Sequence, residues 1–351
     1  MIRRLLALFA VALGVLVAGC ATPNSPDSIT LTMEEFMVPS DPGIQVYVRN
    51  KHPTGMRDFS PERTVLFVHG ATYPAHTAFD LQLGGMSWMD YMASRGYDVY
   101  LIDLRGYGRS TRPPLMSQDA KANPPFATTE DVMRDVDAAV DFIRKRRGVA
   151  KVNLLAWSWG TAITQWYTAN NAAKVNKLAL YAPVWIRTTP SLVQAGAGAT
   201  PAYRTVEMSQ AKTRWLTGVA ADKQAGLIPP GWFEAWADAT LKSDPDGSRR
   251  SPPVIRAPNG VVADGLRYWG NNSIPWDPAK ITVPVLLVKG EWDVDTPAYM
   301  AQALFPKLTG APYKRYIEIG EGTHTLIMEK NRLALFEAVQ QFFDERYRAE
   351  Q

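Results

Sequence analysis

The sequence predicts an α/β fold, with a mostly parallel central sheet flanked by helices and an inserted cap domain. From residue 29 onward, short apolar runs alternate with segments of helical periodicity, as in a parallel sheet covered on both faces. Residues 64–69 (TVLFVH) are almost entirely apolar, which is typical of a strand buried on both faces. Residues 186–275 interrupt the alternation, because they contain no clear strand and several prolines and glycines.

The predicted strands come in a regular order along the chain. Residues 29–38 and 44–50 form a hairpin, because turn residues separate two runs of strand character. After the buried strand at 64–69, further strands are predicted at residues 98–103, 151–157, 177–182, 283–289 and 315–319.

The predicted helices lie between these strands. The clearest is residues 129–147, where Val132, Val136, Val140 and Ile143 form one apolar stripe. The others are predicted at residues 81–95, 160–170 and 331–348. Residues 29–185 and 276–349 are therefore expected to form the core. Residues 186–275 would form a cap over the carboxyl edge of the sheet, where open α/β folds bind ligands.

The first 28 residues have the pattern of an export signal. Arg3 and Arg4 precede an apolar run that ends at Gly19, and this run is short for a membrane span. The sequence Val17-Ala18-Gly19-Cys20 resembles a bacterial lipobox. The resemblance implies that residues 1–19 are a signal peptide and that Cys20 receives a diacylglycerol. An uncleaved anchor and a plain signal peptide are the alternatives.

Residues 20–28 would then be a lipidated tether, because they are polar, proline-bearing and aperiodic. The expected location is the cell envelope, membrane-anchored and facing the periplasm if the cell is Gram-negative. Without Arg3 and Arg4 the chain has 36 basic and 34 acidic residues, a balance that disfavours a nucleic-acid partner. Cys20 is the only cysteine, which excludes internal disulfides, thiol catalysis and cysteine metal sites.

A serine lies at a predicted junction between a strand and a helix. The sequence Ala156-Trp157-Ser158-Trp159-Gly160 resembles the nucleophile elbow Gly-x-Ser-x-Gly of α/β-hydrolases, with alanine in the first position. The resemblance implies an α/β-hydrolase fold with Ser158 as the nucleophile. The alternative is a serine that only caps the following helix.

A second motif, His69-Gly70-Ala71, follows the first buried strand. In α/β-hydrolases the N–H after His-Gly and the N–H after the nucleophile form the oxyanion hole. The resemblance therefore assigns this role to the backbone N–H groups of Ala71 and Trp159, and it implies that His69 is structural. The alternative is an ordinary glycine-containing turn.

Two further motifs would complete a catalytic triad. Asp293 lies in Gly290-Glu291-Trp292-Asp293, which resembles the family's acid loop, although Glu291 and Asp295 are nearby competitors. His324 ends a Gly-x-His motif after the last strand and is one of only four histidines. The order Ser158, Asp293, His324 is that of α/β-hydrolases and differs from chymotrypsin and subtilisin.

This resemblance implies a serine hydrolase that cleaves a small-molecule carboxylic ester through an acyl-enzyme, with no cofactor or metal. The cap contains four tryptophans, which suggest an apolar or aromatic acyl group: Trp215, Trp232, Trp236 and Trp269.

Three alternatives stay open. Ser158-Trp159-Gly160 also resembles proline iminopeptidases, which need cap carboxylates to bind a free amine; the candidates are Glu207, Glu234 and Asp238. An acyltransferase is the second alternative, because it uses the same acyl-enzyme as a hydrolase and differs only in excluding water from it. A catalytically silent, lipid-anchored binding protein is the third. The sequence determines neither the natural substrate nor the oligomeric state.

Overall fold

An eight-stranded sheet lies at the centre of the computed structural model, which describes residues 29–194 and 198–347. Residues 1–28, with the predicted signal peptide, Cys20 and the tether, lie outside this range. In chain order the strands of the central sheet are β1 (Leu31–Pro39), β2 (Gln45–Pro53), β3 (Thr64–Val68), β4 (Asp98–Asp103), β5 (Val152–Trp157), β6 (Val175–Tyr181), β9 (Val285–Gly290) and β10 (Lys314–Ile319).

The strands are arranged in the order β1-β2-β4-β3-β5-β6-β9-β10. Strand β2 pairs antiparallel with β1 and β4, whereas all pairs from β4 to β10 are parallel. Parallel neighbours require crossover connections, and helices of the chain supply most of them. The predicted mostly parallel sheet and its N-terminal hairpin are therefore confirmed.

Helices cover both faces of the sheet. They are α1 (Ala75–Phe79), α2 (Trp88–Ala93), α3 (Thr129–Arg147), α4 (Trp159–Asn171), α5 (Met208–Trp215), α6 (Ala221–Gln224), α7 (Trp232–Lys242), α8 (Pro245–Ser248), α9 (Gly260–Arg267), α10 (Ala298–Leu304) and α11 (Arg332–Asp344). Helices α3, α4 and α10 pack on the face that includes Leu66 and Val68. Helices α1, α2 and α11 pack on the opposite face, with Val65 and Phe67. Strand β3 is apolar throughout because both of its faces are buried.

The helix predicted at residues 81–95 is shorter than expected. Gly84 and Gly85 have φ angles of +60° and +79°, which an α-helix cannot include. The helix begins only after Ser87, whose hydroxyl accepts from Asp90 N while the Asp90 carboxylate accepts from Ser87 N. The last helix, α11, likewise ends at Asp344 instead of residue 348.

The expectation that residues 186–275 contain no strand was wrong. This segment contains β7 (Tyr203–Val206) and β8 (Ile255–Pro258), which pair antiparallel in a separate two-stranded sheet. Each strand has only four residues, and about fifty residues separate them in sequence. Strands this short contain too few residues to show an alternation of apolar and polar side chains, and their pairing over a long separation leaves no hairpin signal in the sequence. Within the described ranges, no helix is long and apolar enough to cross a membrane.

Candidate active site

Ser158 occupies the turn between β5 and α4. Its φ and ψ angles are 56° and −124°, a strained conformation for a residue other than glycine. The Ser158 side chain makes no capping hydrogen bond to α4, so the alternative of a simple helix cap does not describe it. A Cβ atom on Gly160 would lie 2.6 Å from the carbonyl oxygens of Val68 and His69, so a glycine is required there. The close approach of β3 to the turn thus explains the small residue after Ser158.

His324 connects Ser158 to Asp293 through hydrogen bonds. The Nε2 atom of His324 lies 2.9 Å from Ser158 Oγ, and its Nδ1 atom lies 3.0 Å from both carboxylate oxygens of Asp293. His324 and Asp293 are both buried. Thr296 donates to the same carboxylate from its backbone N (2.8 Å) and its hydroxyl (2.7 Å). The structure therefore brings together the three side chains that the sequence motifs picked out.

The two competing carboxylates have other partners. Asp295 forms an ion pair with Arg214 at 3.0 Å, and Glu291 accepts from the backbone N of Glu321 at 3.0 Å. Burial is the largest single influence on Asp295 and opposes its ionisation, but the neighbouring basic side chains, Arg214 foremost, together lower the Asp295 pKa. Of the three carboxylates, only that of Asp293 hydrogen-bonds to His324.

The remaining histidines lie in other environments. His52 contacts the carbonyl of Pro53, and His76 contacts the carboxylate of Asp103. His69 is fully buried, accepts at Nε2 from Leu104 N (3.0 Å) and pairs through Nδ1 with the carbonyl of Gly70 (2.7 Å). Burial lowers the pKa of His69 to about 4, so its ring is neutral at pH 7. These contacts agree with a structural His69 that holds the turn before Ala71.

Ala71 and Trp159 line the same cavity as Ser158. A Cβ atom on Gly70 would lie 2.9 Å from Ser158 Cβ, so the Gly70–Ala71 backbone passes directly beside the serine. The buried Trp159 indole donates to Thr129 Oγ1 at 3.0 Å, which fixes the first turn of α4. Both backbones are thus positioned next to the Ser158 side chain.

Two aromatic residues that hold the histidine loop were missed in the sequence. The Trp157 indole and the Tyr181 hydroxyl both donate to the carbonyl oxygen of His324, at 3.0 and 2.8 Å. The two rings stack with their centroids 6.1 Å apart. They end neighbouring strands, β5 and β6, but no local pattern indicates that they reach a loop more than 140 residues away.

The cavity containing Ser158 has a volume of about 450 Å³ and is bounded by residues of the 186–275 segment. Trp269 lines it, whereas Trp215 and Trp236 border a smaller space beside Ser158 and His324. Trp232 instead packs under the Arg332 guanidinium, 4.4 Å from its ring centroid. The four tryptophans therefore occupy different positions relative to the site.

The carboxylates considered for amine binding do not border these two cavities. Glu234 and Asp238 are exposed and pair with Lys212 and Lys242. Glu207 belongs to a capping box at the start of α5. Across residues 29–194 and 198–347, no group of three or more histidine or acidic side chains is placed to hold a metal ion.

Comparisons with known proteins agree with this architecture. A family model described as the alpha/beta hydrolase fold matches residues 63–330. Gastric triacylglycerol lipase from Homo sapiens is 29% identical over 132 residues, which cover 37% of this chain and 33% of the lipase. The chain therefore spans about a third of the length of the curated relative that it matches.

Solved structures of low sequence identity have the same fold. A 2-hydroxy-6-oxo-6-phenylhexa-2,4-dienoate hydrolase from Rhodococcus sp. strain RHA1 has a TM-score of 0.59 at 17% identity, covering 90% of this chain and 100% of that one. An esterase from Exiguobacterium antarcticum has a TM-score of 0.57 at 16% identity, covering 89% and 100%. A membrane phospholipase A described as a bacterial virulence factor has a TM-score of 0.58 at 18% identity, covering 89% and 86%.

These structural likenesses establish the fold, and the family match covers well over half of the chain. The protein is therefore a member of the α/β-hydrolase fold family.

Proposed function

We propose that the protein hydrolyses carboxylic esters, with Ser158 as nucleophile, His324 as general base and Asp293 as the group that orients the histidine. The observation that carries this proposal is the unbroken series of hydrogen bonds from Ser158 Oγ through His324 to the Asp293 carboxylate. Their distances are those expected of a nucleophile, its base and the orienting acid.

In the proposed reaction, Ser158 Oγ attacks the ester carbonyl and its proton passes to His324 Nε2. The tetrahedral intermediate collapses when His324 returns that proton to the leaving alcohol, which produces an acyl-enzyme. Water then attacks the acyl group and gives its proton to His324, which passes it to Ser158 Oγ as the acid is released and the free enzyme is restored. Asp293, held by Thr296, accepts from Nδ1–H, so that Nε2 is the nitrogen free to take the proton.

The backbone N–H groups of Ala71 and Trp159 would stabilise the oxyanion of the tetrahedral intermediate. Support comes from the position of both residues beside Ser158 in one cavity. Removing one donor of an oxyanion hole lowers kcat by about 100- to 1000-fold in comparable sites.

An apolar acyl group fits one wall of the 450 Å³ cavity. We use the name apolar wall for the apolar side chains of this lining, which are Val184, Val193, Val261, Val262, Leu266 and Trp269. A cavity of this size and lining suits a small ester. Apolar burial contributes roughly 25 cal/mol per Å² to binding of the acyl chain.

Labelling with a fluorophosphonate probe tests the proposal, because only an activated serine reacts with it. We expect covalent labelling at Ser158 and turnover of p-nitrophenyl esters of graded chain length, with no release from aminoacyl-anilides. Failure to label would favour the binding-protein alternative, and faster turnover of the anilides would favour a peptidase.

Replacing Trp269 with alanine is expected to change the substrate preference. The loss of apolar wall should lower kcat/KM for long or aromatic acyl groups by about tenfold, while acetyl esters are spared because they do not reach it.

Trp232→Ala is the matched control, since Trp232 packs on Arg332 outside the cavity. It should lower stability by about 1–3 kcal/mol without changing the preference. Chain-length profiles and thermal unfolding of both variants check this expectation. An unchanged profile for Trp269→Ala would contradict an acyl site at this wall.

We also propose that the protein is exported and anchored to a membrane through a diacylated Cys20. The support is the lipobox-like sequence before this cysteine and the polar tether after it. The lipid chains of one such cysteine suffice for stable anchoring.

Replacing Cys20 with serine is expected to move the protein from the membrane fraction to the soluble fraction. The catalytic constants should be retained, because residue 20 precedes the first strand by about ten residues. Fractionation followed by an ester assay of each fraction measures both. A variant that stays in the membrane pellet would contradict lipid attachment at Cys20.

A further inference from the structure

Three arginines line either the cavity that contains Ser158 or a cavity that adjoins it. Arg187 lines the 450 Å³ cavity that contains Ser158. Arg204 lines a second cavity of about 980 Å³, and Arg214 lines both. The two cavities also share Val193 and Gln194, so they adjoin each other.

The charged side chains around this combined space are mostly basic. Among the described residues, its lining includes two carboxylates, Asp119 and Asp295. The basic side chains of the lining are Lys121, Arg187, Arg204, Arg214 and Arg250. Asp295 is paired with Arg214, and Asp119 accepts from the backbone N of Lys121 at 3.0 Å. The lining is therefore positive before a substrate enters.

Arg204 has only neutral hydrogen-bond partners. One guanidinium nitrogen donates to the carbonyl of Pro258 (2.9 Å) and to Asn259 Oδ1 (3.0 Å), and the other donates to the hydroxyl of Thr72. No carboxylate within residues 29–194 and 198–347 lies at ion-pair distance from it. In the sequence, residues 195–197 are Ala-Gly-Ala and contain no acidic group. Since a guanidinium has five N–H donors, Arg204 retains donors for a ligand.

The surroundings of Arg204 disfavour an uncompensated cation. Burial lowers its pKa, and the neighbouring charge of Arg214 lowers it further. Arg204 is half-buried, and partial removal of its guanidinium from water without an opposite charge has a free-energy cost, which an anion entering the cavity would offset.

We propose that the natural substrate carries a carboxylate or phosphate group and that Arg204 binds this anion, with Arg187, whose hydrogen bonds go to backbone carbonyls, adding to the positive field. This inference rests on the proposed ester hydrolysis at Ser158 and narrows its substrate class. The apolar wall beside Trp269 would hold the hydrocarbon part of the ester, and the arginine side would hold its charged end. Planar guanidinium groups suit both anions, because they donate two parallel hydrogen bonds.

Arg204 also contacts Thr72, the residue after Ala71. A role limited to holding this turn would affect neutral and anionic esters alike. A role in binding the anion changes the ratio of kcat/KM between them, and this ratio is the readout that separates the two roles.

The first experiment uses the wild-type protein and two matched pairs of esters. The first pair is p-nitrophenyl hydrogen glutarate and p-nitrophenyl pentanoate, with spontaneous hydrolysis subtracted. The second pair is the butyrate ester of 4-hydroxybenzoate and phenyl butyrate, which places the carboxylate on the alcohol side. Inorganic phosphate is tested as a competitive inhibitor of pentanoate turnover. We expect preference for the anionic ester in one pair, or inhibition by phosphate, and either effect should weaken as salt is added.

The second experiment replaces Arg204 with glutamine. The anionic-to-neutral ratio of kcat/KM, or the affinity for phosphate, should fall by about 10- to 100-fold, as expected for loss of a charged hydrogen bond. Arg204→Lys keeps the charge and should retain part of the preference for the anionic ester. It also replaces Arg204→Gln as the test variant if the glutamine variant does not fold. Arg249→Gln is the matched control, because Arg249 is an exposed cap arginine paired with Asp246 and lines neither cavity.

The outcomes separate the two proposals. Turnover of neutral esters without any anion preference or phosphate inhibition would overturn the anion site and leave ester hydrolysis intact. An unchanged ratio in Arg204→Gln and Arg204→Lys would also overturn it. Absence of turnover with every ester would contradict the proposed function, and the anion site with it.

Discussion

Replacing Ser158 with alanine is expected to lower ester turnover by about 10⁴- to 10⁶-fold, because the hydroxyl oxygen is the attacking atom. The fold should survive this change. Alanine has the same Cβ atom in the strained turn, and the Ser158 hydroxyl makes no capping bond to α4. Steady-state kinetics with a p-nitrophenyl ester, together with thermal unfolding, measure both quantities.

His324→Ala should have nearly the same effect as Ser158→Ala, and the double variant should be little worse than either. The members of a triad act as a unit, so their losses do not add. Ser209→Ala is the matched control, because Ser209 is an exposed serine on α5. It should keep both turnover and fluorophosphonate labelling. Turnover near the wild-type level in Ser158→Ala would contradict the assignment of the nucleophile.

Replacing Asp293 with asparagine is expected to lower kcat by about 10⁴-fold while the protein stays folded. The carboxylate accepts from His324 Nδ1–H and so leaves Nε2 unprotonated toward Ser158. An asparagine amide can donate to Nδ1 instead, and the proton would then sit on Nε2. The histidine could no longer take the proton of Ser158. Kinetics at constant pH and a circular dichroism spectrum test this expectation.

The neighbouring carboxylates provide the controls. Asp295→Asn should lower stability by about 1–3 kcal/mol, because Arg214 loses its ionic partner, and it should reduce turnover less than Asp293→Asn. Glu291→Gln should change turnover less than threefold, since its carboxylate accepts from the backbone N of Glu321 and does not hydrogen-bond to His324. If Asp295→Asn proved the most damaging of the three, the acid role would belong to Asp295.

The sequence alone was sufficient for the fold class and for Ser158 and His324, and it favoured Asp293 among the acidic residues of one loop. Strands buried on both faces, such as β3, require continuous apolar runs, and these are visible locally. The turn at Ser158 requires a small residue at Gly160, which also leaves a local pattern. Ser158, Asp293 and His324 lie in the loops that follow β5, β9 and β10, so their order along the chain is the order of these strands.

Only the tertiary structure decided between carboxylates that lie within a few residues of one another. Glu291, Asp293 and Asp295 share one loop, and their different partners depend on contacts with distant segments. The missed hairpin of β7 and β8 has the same cause, since its pairing joins residues far apart in the chain.

The positive lining of the space beside Ser158 also required the tertiary structure. Overall charge is nearly balanced, so composition gives no sign of a local excess. Arg187, Arg204 and Arg214 come from separate parts of the segment 186–275, and only folding places them around adjoining cavities. Sequence patterns show the spacing of apolar side chains within one element, which repeats every two residues in a strand and every 3.6 residues in a helix. They do not report which side chains of different elements face the same space.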